Sequence, residues 1–129
     1  MDSGAIRRRL AVGLAVLTGS GLLALALPGT AQAAAATCSG REVKALRFST
    51  GIVRVYKQGG YVCARTLPRR AGVKQWMSVT VQARGNRPIT DGGRFSYQAG
   101  PVTVHAGHRC VRVGGAVGPG TAHSGWILC

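Results

Sequence analysis

The segment GIVRVYKQGGYVCAR, residues 51–65, decides the fold. Val53 and Val55 share one side of an extended chain, and Ile52, Arg54 and Tyr56 share the other. A period of two places one face on a core and leaves one in water, as a half-buried strand requires. Gln58-Gly59-Gly60 supplies turn chemistry, and Tyr61 to Arg65 runs back with Cys63 on the returning arm. Two such runs joined by a glycine pair specify a β-hairpin.

Short alternating runs continue along the chain, without long helical periodicity. In QWMSVTVQA, residues 75–83, Met77, Val79, Val81 and Ala83 point one way, and Trp76, Ser78, Thr80 and Gln82 point the other. Phe95 and Tyr97 share a face, and Trp126-Ile127-Leu128 is placed to close a sheet. Turn chemistry at Asp91-Gly92-Gly93, Ala99-Gly100-Pro101 and Gly114-Gly115 separates the runs. Residues 114–125, GGAVGPGTAHSG, read as a flexible loop. Pro101 lacks an N–H, so it opens a strand or lies on an edge. The expected fold is all-β: a small disulfide-stapled sandwich or barrel of about six to eight short antiparallel strands.

A weak internal repeat extends the opening pattern. Gly51, Val53 and Val55 align with Gly100, Val102 and Val104, and Cys63-Ala64-Arg65 aligns with Cys110-Val111-Arg112. The repeat predicts a second hairpin with Cys110 on its returning strand. Cys110 is then a staple point, and His105 and His108 are exposed turn residues.

The ends place the domain. Arg7-Arg8-Arg9, the apolar run Leu10 to Leu27, Pro28 and the small-x-small Ala31-Gln32-Ala33 follow the order of a secretory signal peptide. Residues 1–33 are read as that leader and residues 34–129 as a single small β domain, with no membrane span in the mature chain. Cys38, Cys63, Cys110 and Cys129 all lie beyond the leader. Four cysteines in a small exported chain read as two disulfides, among three possible connectivities. The local choice, Cys38–Cys63 with Cys110–Cys129, is the one expected.

The charge is lopsided. The chain carries seventeen Lys and Arg against three Asp and Glu. Asp2 and Arg7 to Arg9 fall in the leader, so residues 34–129 hold fourteen bases and only Glu42 and Asp91 as acids, a net charge of +12. Such a surface attracts polyanions and associates fast and salt-sensitively. The candidate polyanion-binding residues are Arg54, Lys57, Arg65, Arg69, Arg70, Arg109 and Arg112; they are scattered, and Arg69-Arg70 is the one adjacent pair among them.

Catalytic readings are thin. A Cys–His nucleophile needs a free thiol and an orienting partner, and here the cysteines pair and acids are scarce. His105 and His108 stand three apart beside a turn, and His123 is distant, without a Cys-x-x-Cys; no metal or cofactor is expected. Glycosidase chemistry wants two carboxylates flanking one bond, and Asp91 reads as a turn former. In a secreted ribonuclease, Glu42 would be the base and His105 or His108 the acid. Tyr56, Tyr61, Phe95 and Tyr97 read as packing residues rather than base-stacking platforms, so no specific nucleic acid is expected.

Phe95-Ser96-Tyr97, Ala99-Gly100-Pro101-Val102, Cys110-Val111-Arg112 and Gly114-Gly115 resemble spore-associated protein A and its small secreted actinobacterial relatives. Val-x-Val-Tyr at residues 53–56 and Trp76-Met77-Ser78-Val79 are similar too. Val113 departs from the pattern, which would place an aromatic there. The resemblance implies an exported protein held at the spore or cell surface, and it implies no catalytic residues. The expected function is therefore a secreted, non-enzymatic basic β protein that binds an anionic cell-wall or spore-surface polymer. The alternatives are a secreted protease inhibitor, presenting Arg69-Arg70 or residues 114–125, and a small secreted ribonuclease.

Overall fold

A computed structural model describes residues 37–129, so the leader reading of residues 1–33 lies outside the described residues. Eight antiparallel strands follow one another: β1 (Arg41–Phe48), β2 (Gly51–Gln58), β3 (Tyr61–Pro68), β4 (Gln75–Ala83), β5 (Ile89–Phe95), β6 (Ala99–His105), β7 (Val111–Val117) and β8 (Gly120–His123). They form two four-stranded sheets, ordered β1-β2-β3-β6 and β5-β4-β7-β8. The all-β expectation holds, with the strands divided between two layers.

The alternation seen in the sequence builds the core. Val53 and Val55 from β2, Val62 and Ala64 from β3, and Val102 from β6 form one wall; Met77, Val79, Val81 and Ala83 from β4 and Val111, Val113 and Val117 from β7 form the other. β-branched side chains fit a pleated surface, and burying each valine contributes about 1.5–3 kcal/mol. The layer between the sheets is thin: Met77 is the largest fully buried side chain. Thr66 is also fully buried, and its hydroxyl has no hydrogen-bond partner among the described residues.

Gln58 pairs with Tyr61 across Gly59-Gly60. Gly59 has φ +57°, and a two-residue hairpin turn with positive φ at its first central position favours glycine there. The first hairpin is thus β2–β3, as the sequence indicates.

The second hairpin does not form. β6 pairs with β3, whereas β7 pairs with β4 in the opposite sheet. Residues 106–110 are a crossover between layers, and Cys110 precedes β7 rather than lying on a returning strand. Three other local readings also change. Asp91-Gly92-Gly93 and Gly114-Gly115 lie inside β5 and β7, not in turns. Residues 114–125 are mostly the hairpin β7–β8, with Val117 paired to Gly120. Tyr97 lies past the end of β5 and is exposed, so it does not share a strand face with Phe95. Ala99-Gly100-Pro101 opens β6, an edge strand, with a cis Gly100–Pro101 peptide; this suits a residue without an N–H.

Two disulfides tie terminal segments to their own sheets, and one side-chain hydrogen bond links the two sheets. Cys38 is bonded to Cys63 on β3, and Cys110 to Cys129. Asp91 on β5 accepts the backbone N–H of Gly100 on β6 through Oδ2 at 2.7 Å. Asp91→Ala leaves that N–H without its acceptor where the two sheets meet, and is expected to cost about 1–3 kcal/mol in urea denaturation. Asp91→Asn keeps a side-chain oxygen and should retain most of the stability. Equal losses in the two variants would show that the charge, not the acceptor, holds the contact.

Candidate functional site

The outward face of β1-β2-β3-β6 carries Arg54 and Arg65 directly opposite one another. Facing like charges destabilise a strand pair, and neighbours relieve this one. Glu42 bonds Arg54 at 2.7 Å. That hydrogen bond raises the Arg54 pKa above its ordinary value, against a smaller opposing effect of burial. The Arg65 guanidinium donates to the Tyr56 hydroxyl at 3.1 Å and to Gln98 Oε1 at 3.4 Å, and lies 5.6 Å from the centre of the Tyr56 ring. Both arginines are therefore engaged within the protein. Lys57 is half-buried at the far end of β2.

The remaining candidates lie elsewhere. Arg69 is drawn back onto the β1–β2 turn: its N–H donates to Thr50 O at 2.8 Å and its guanidinium to Ser49 O at 3.4 Å. Arg70 is exposed beside it. Both line a hollow of about 580 Å³ with Ser49, Thr50 and Gln75, which contains no carboxylate, imidazole or thiol. Arg109 donates to the carbonyls of Ala106, His105 and Arg84 at 3.0, 2.8 and 3.3 Å. It organises the crossover as well as adding charge. The seven sequence candidates thus do not converge on one site.

A denser arrangement lies on the outward face of β5-β4-β7-β8. Trp76 is 52% exposed and pairs across the ladder with Arg94. Its indole lies over Gly92: a Cβ built there would stand 3.2 Å from Trp76 Cζ2. His123 lies over Gly114 in the same way, with Nδ1 2.6 Å from such a Cβ. Rings laid over sheet glycines cover the bare backbone and keep one face toward water. At the other end of β4, Gln82 pairs with Arg112. The Arg112 guanidinium stands 4.2 Å from the Trp126 ring centre, and that of Arg84 stands 5.6 Å away, both within cation–π range. Ser78, Thr80 and Thr90 pave the space between. No Asp or Glu side chain lies on this face among the described residues: Glu42 belongs to the other sheet, and Asp91 turns to Gly100.

The chemical alternatives meet specific obstacles. All four cysteines are in disulfides, so Cys110 offers no thiol. Among the described residues no three His, Cys, Asp or Glu side chains gather as a metal site. Glu42 and His105 lie on β1 and β6, opposite edges of one sheet. Three strand spacings separate these edges by about 14 Å, too far to act as a base and an acid on one phosphate. His105 packs edge-on against Tyr61 with ring centres 5.0 Å apart, and His108 is exposed in the crossover. Of the two inhibitor candidates, residues 114–125 are mostly a paired hairpin, and Arg69-Arg70 is exposed, with Arg69 bonded to the β1–β2 turn.

Trp76, Arg84, Arg94, His123 and Trp126 were not among the sequence candidates. The alternation of β4 already placed Trp76 on the wetter face. What was missing was the register that sets it over Gly92 and beside Arg94. The disulfides are compatible with an extracellular location, and no described helix is long and apolar enough to cross a membrane. No protein-family model, curated protein or solved structure matches the chain.

Proposed function

We propose that the chain is an exported, non-catalytic, disulfide-stapled β domain that adheres to the cell or spore surface by binding anionic wall polymers. The observation that carries this reading is the state of the acids. Glu42 and Asp91 are the two carboxylate side chains of residues 37–129, and both are occupied, one by Arg54 and the other by the Gly100 N–H. Of the fourteen cationic side chains, Arg54 alone is paired with a carboxylate, so the remaining positive charge is not neutralised by acidic side chains among the described residues. A field of one sign concentrates polyanions and is screened over about 8 Å at physiological salt. The resemblance to the spore-associated protein A group supports the location and supplies no chemistry.

The test is graded extraction from walls or spore coats of the producing cell. Release is expected as sodium chloride rises from about 0.1 to 1 M, where the screening length falls to about 3 Å. Retention at 1 M salt, with release only after wall digestion, would replace electrostatic adhesion with specific or covalent attachment.

A further inference from the structure

We propose that the outward face of β5-β4-β7-β8 is the docking surface for an acidic polysaccharide, whose chain lies along β4 between Trp76 and Trp126. The proposal rests on the polyanion-binding reading above and names the site and the polymer class. Three features carry it. First, the two tryptophans of the chain stand at the two ends of this face. From Trp76 to Gln82, which pairs with Arg112 beside Trp126, β4 advances about 20 Å. The span suits several residues of a linear polymer. Second, the six-membered ring of Trp76 rests against Gly92 while half of the side chain stays exposed, so the indole is positioned at the surface before any ligand arrives. The C–H face of a sugar ring is apolar and slightly positive at its hydrogens, complementary to the negative face of an indole. Third, cations accompany both rings: Arg94 beside Trp76, and Arg112 and Arg84 on Trp126. With no Asp or Glu side chain on the face among the described residues, they complement acidic groups spaced along the chain.

The short hydroxyls decide between polymers. Sheet-bound single-stranded nucleic acid stacks successive bases on successive rings. Here the central strands carry Ser78 and Thr80 opposite Gly92 and Thr90, a flat hydroxyl-bearing floor between widely separated indoles. That floor matches the hydroxyl edges of sugars better than a run of bases. The basic face of the other sheet is a poorer site, because Arg54 and Arg65 are bonded internally.

The test titrates the exported protein, both disulfides intact, with polygalacturonate, dextran and oligo-dT at 150 mM salt, following tryptophan fluorescence. Polygalacturonate should bind and shift the emission, and dextran should not. Trp76→Ala and the double variant Arg94→Gln, Arg112→Gln should each weaken polygalacturonate binding about tenfold, the loss of roughly one stacking or paired-charge contact. Lys44→Gln with Arg47→Gln removes the same charge from exposed positions of β1 and should cost no more than about twofold through the general field. Equal losses in the two double variants would overturn the site and leave the electrostatic reading standing. Tighter, Trp76-dependent binding of oligo-dT would overturn the polymer class. Failure of the unaltered protein to bind any polyanion, together with its retention on walls at high salt, would remove both the site and the reading beneath it.

Discussion

Reduction of Cys38–Cys63 and Cys110–Cys129 is expected to unfold the domain at room temperature. The bridges close segments with sequence separations of 25 and 19 residues. Restricting loops of that length in the unfolded chain is worth about 3 kcal/mol each. Together they contribute about 6 kcal/mol, a large part of the roughly 5–15 kcal/mol that holds most domains. The core cannot replace it, because it consists of valine, alanine and one methionine, with no fully buried leucine, isoleucine or phenylalanine among the described residues. Each bridge also secures a segment with little pairing of its own. Cys38 lies ahead of β1, and the segment ending at Cys129 is attached to β7 by the Val111–Ile127 bridge. Denaturation of the intact protein and of the Cys38→Ala/Cys63→Ala and Cys110→Ala/Cys129→Ala variants measures the two contributions. Losses near 3 kcal/mol per bridge are expected. A reduced, alkylated chain with native circular dichroism and an unchanged urea midpoint would show that the valine layer suffices.

The strands that were legible in the sequence are those whose faces differ. β2 and β4 alternate because one side meets the core and the other meets water, and a one-residue slip would reverse every side chain. Gly59-Gly60 is the turn its sequence indicates, but Gly92-Gly93 and Gly114-Gly115 are not, because their role is fixed by distant residues. Gly92 and Gly93 sit in β5 under the rings of Trp76 and Phe95. Gly114 lies beneath His123, and Gly115 faces Thr66 and Val53. Locally these pairs carry turn chemistry; in the sheet they make room for partners. The same limit explains the failed second hairpin. Residues 100–112 do read strand, turn, strand, but β6 joins β3 and β7 joins β4. Which sheet accepts a strand depends on long-range pairing, and the Arg109 side chain fastens the crossover through contacts that local alternation does not encode.

The candidate surface was less legible than the fold. Net charge identifies an attraction, not a place. Arg54, Arg65, Arg69 and Arg109 looked equivalent to Arg112 in the sequence, and the structure separates them by what each already holds. Trp76 and Arg94 are eighteen positions apart and become neighbours only through the β4–β5 register.

Gly115→Ala should destabilise the domain strongly for a change of one methyl group. Gly115 lies on β7 with its Cα toward the middle of the sandwich. A Cβ there would meet Thr66 Oγ1 from the facing sheet, approach Val53 Cγ2 to 2.6 Å and stand 3.1 Å from the Ser78 carbonyl oxygen of its own sheet. The contacts come from the facing sheet and from the neighbouring strand β4, so β7 is confined on two sides at this point. The facing residues are fully buried and have no open space to enter. Overpacking of this kind costs about 1–3 kcal/mol, and here the upper end is expected because both layers must separate. Thr66→Ala removes the hydroxyl and methyl that press on this point. Alone it leaves a small void, offset by deletion of a buried hydroxyl without a described partner. In the double variant the new methyl occupies part of the space vacated by Thr66. The cycle should therefore show a favourable coupling of about 1 kcal/mol or more, measured by urea denaturation. Strict additivity would show that Thr66 is not what limits Gly115, leaving Val53 and the β4 backbone as the restraint.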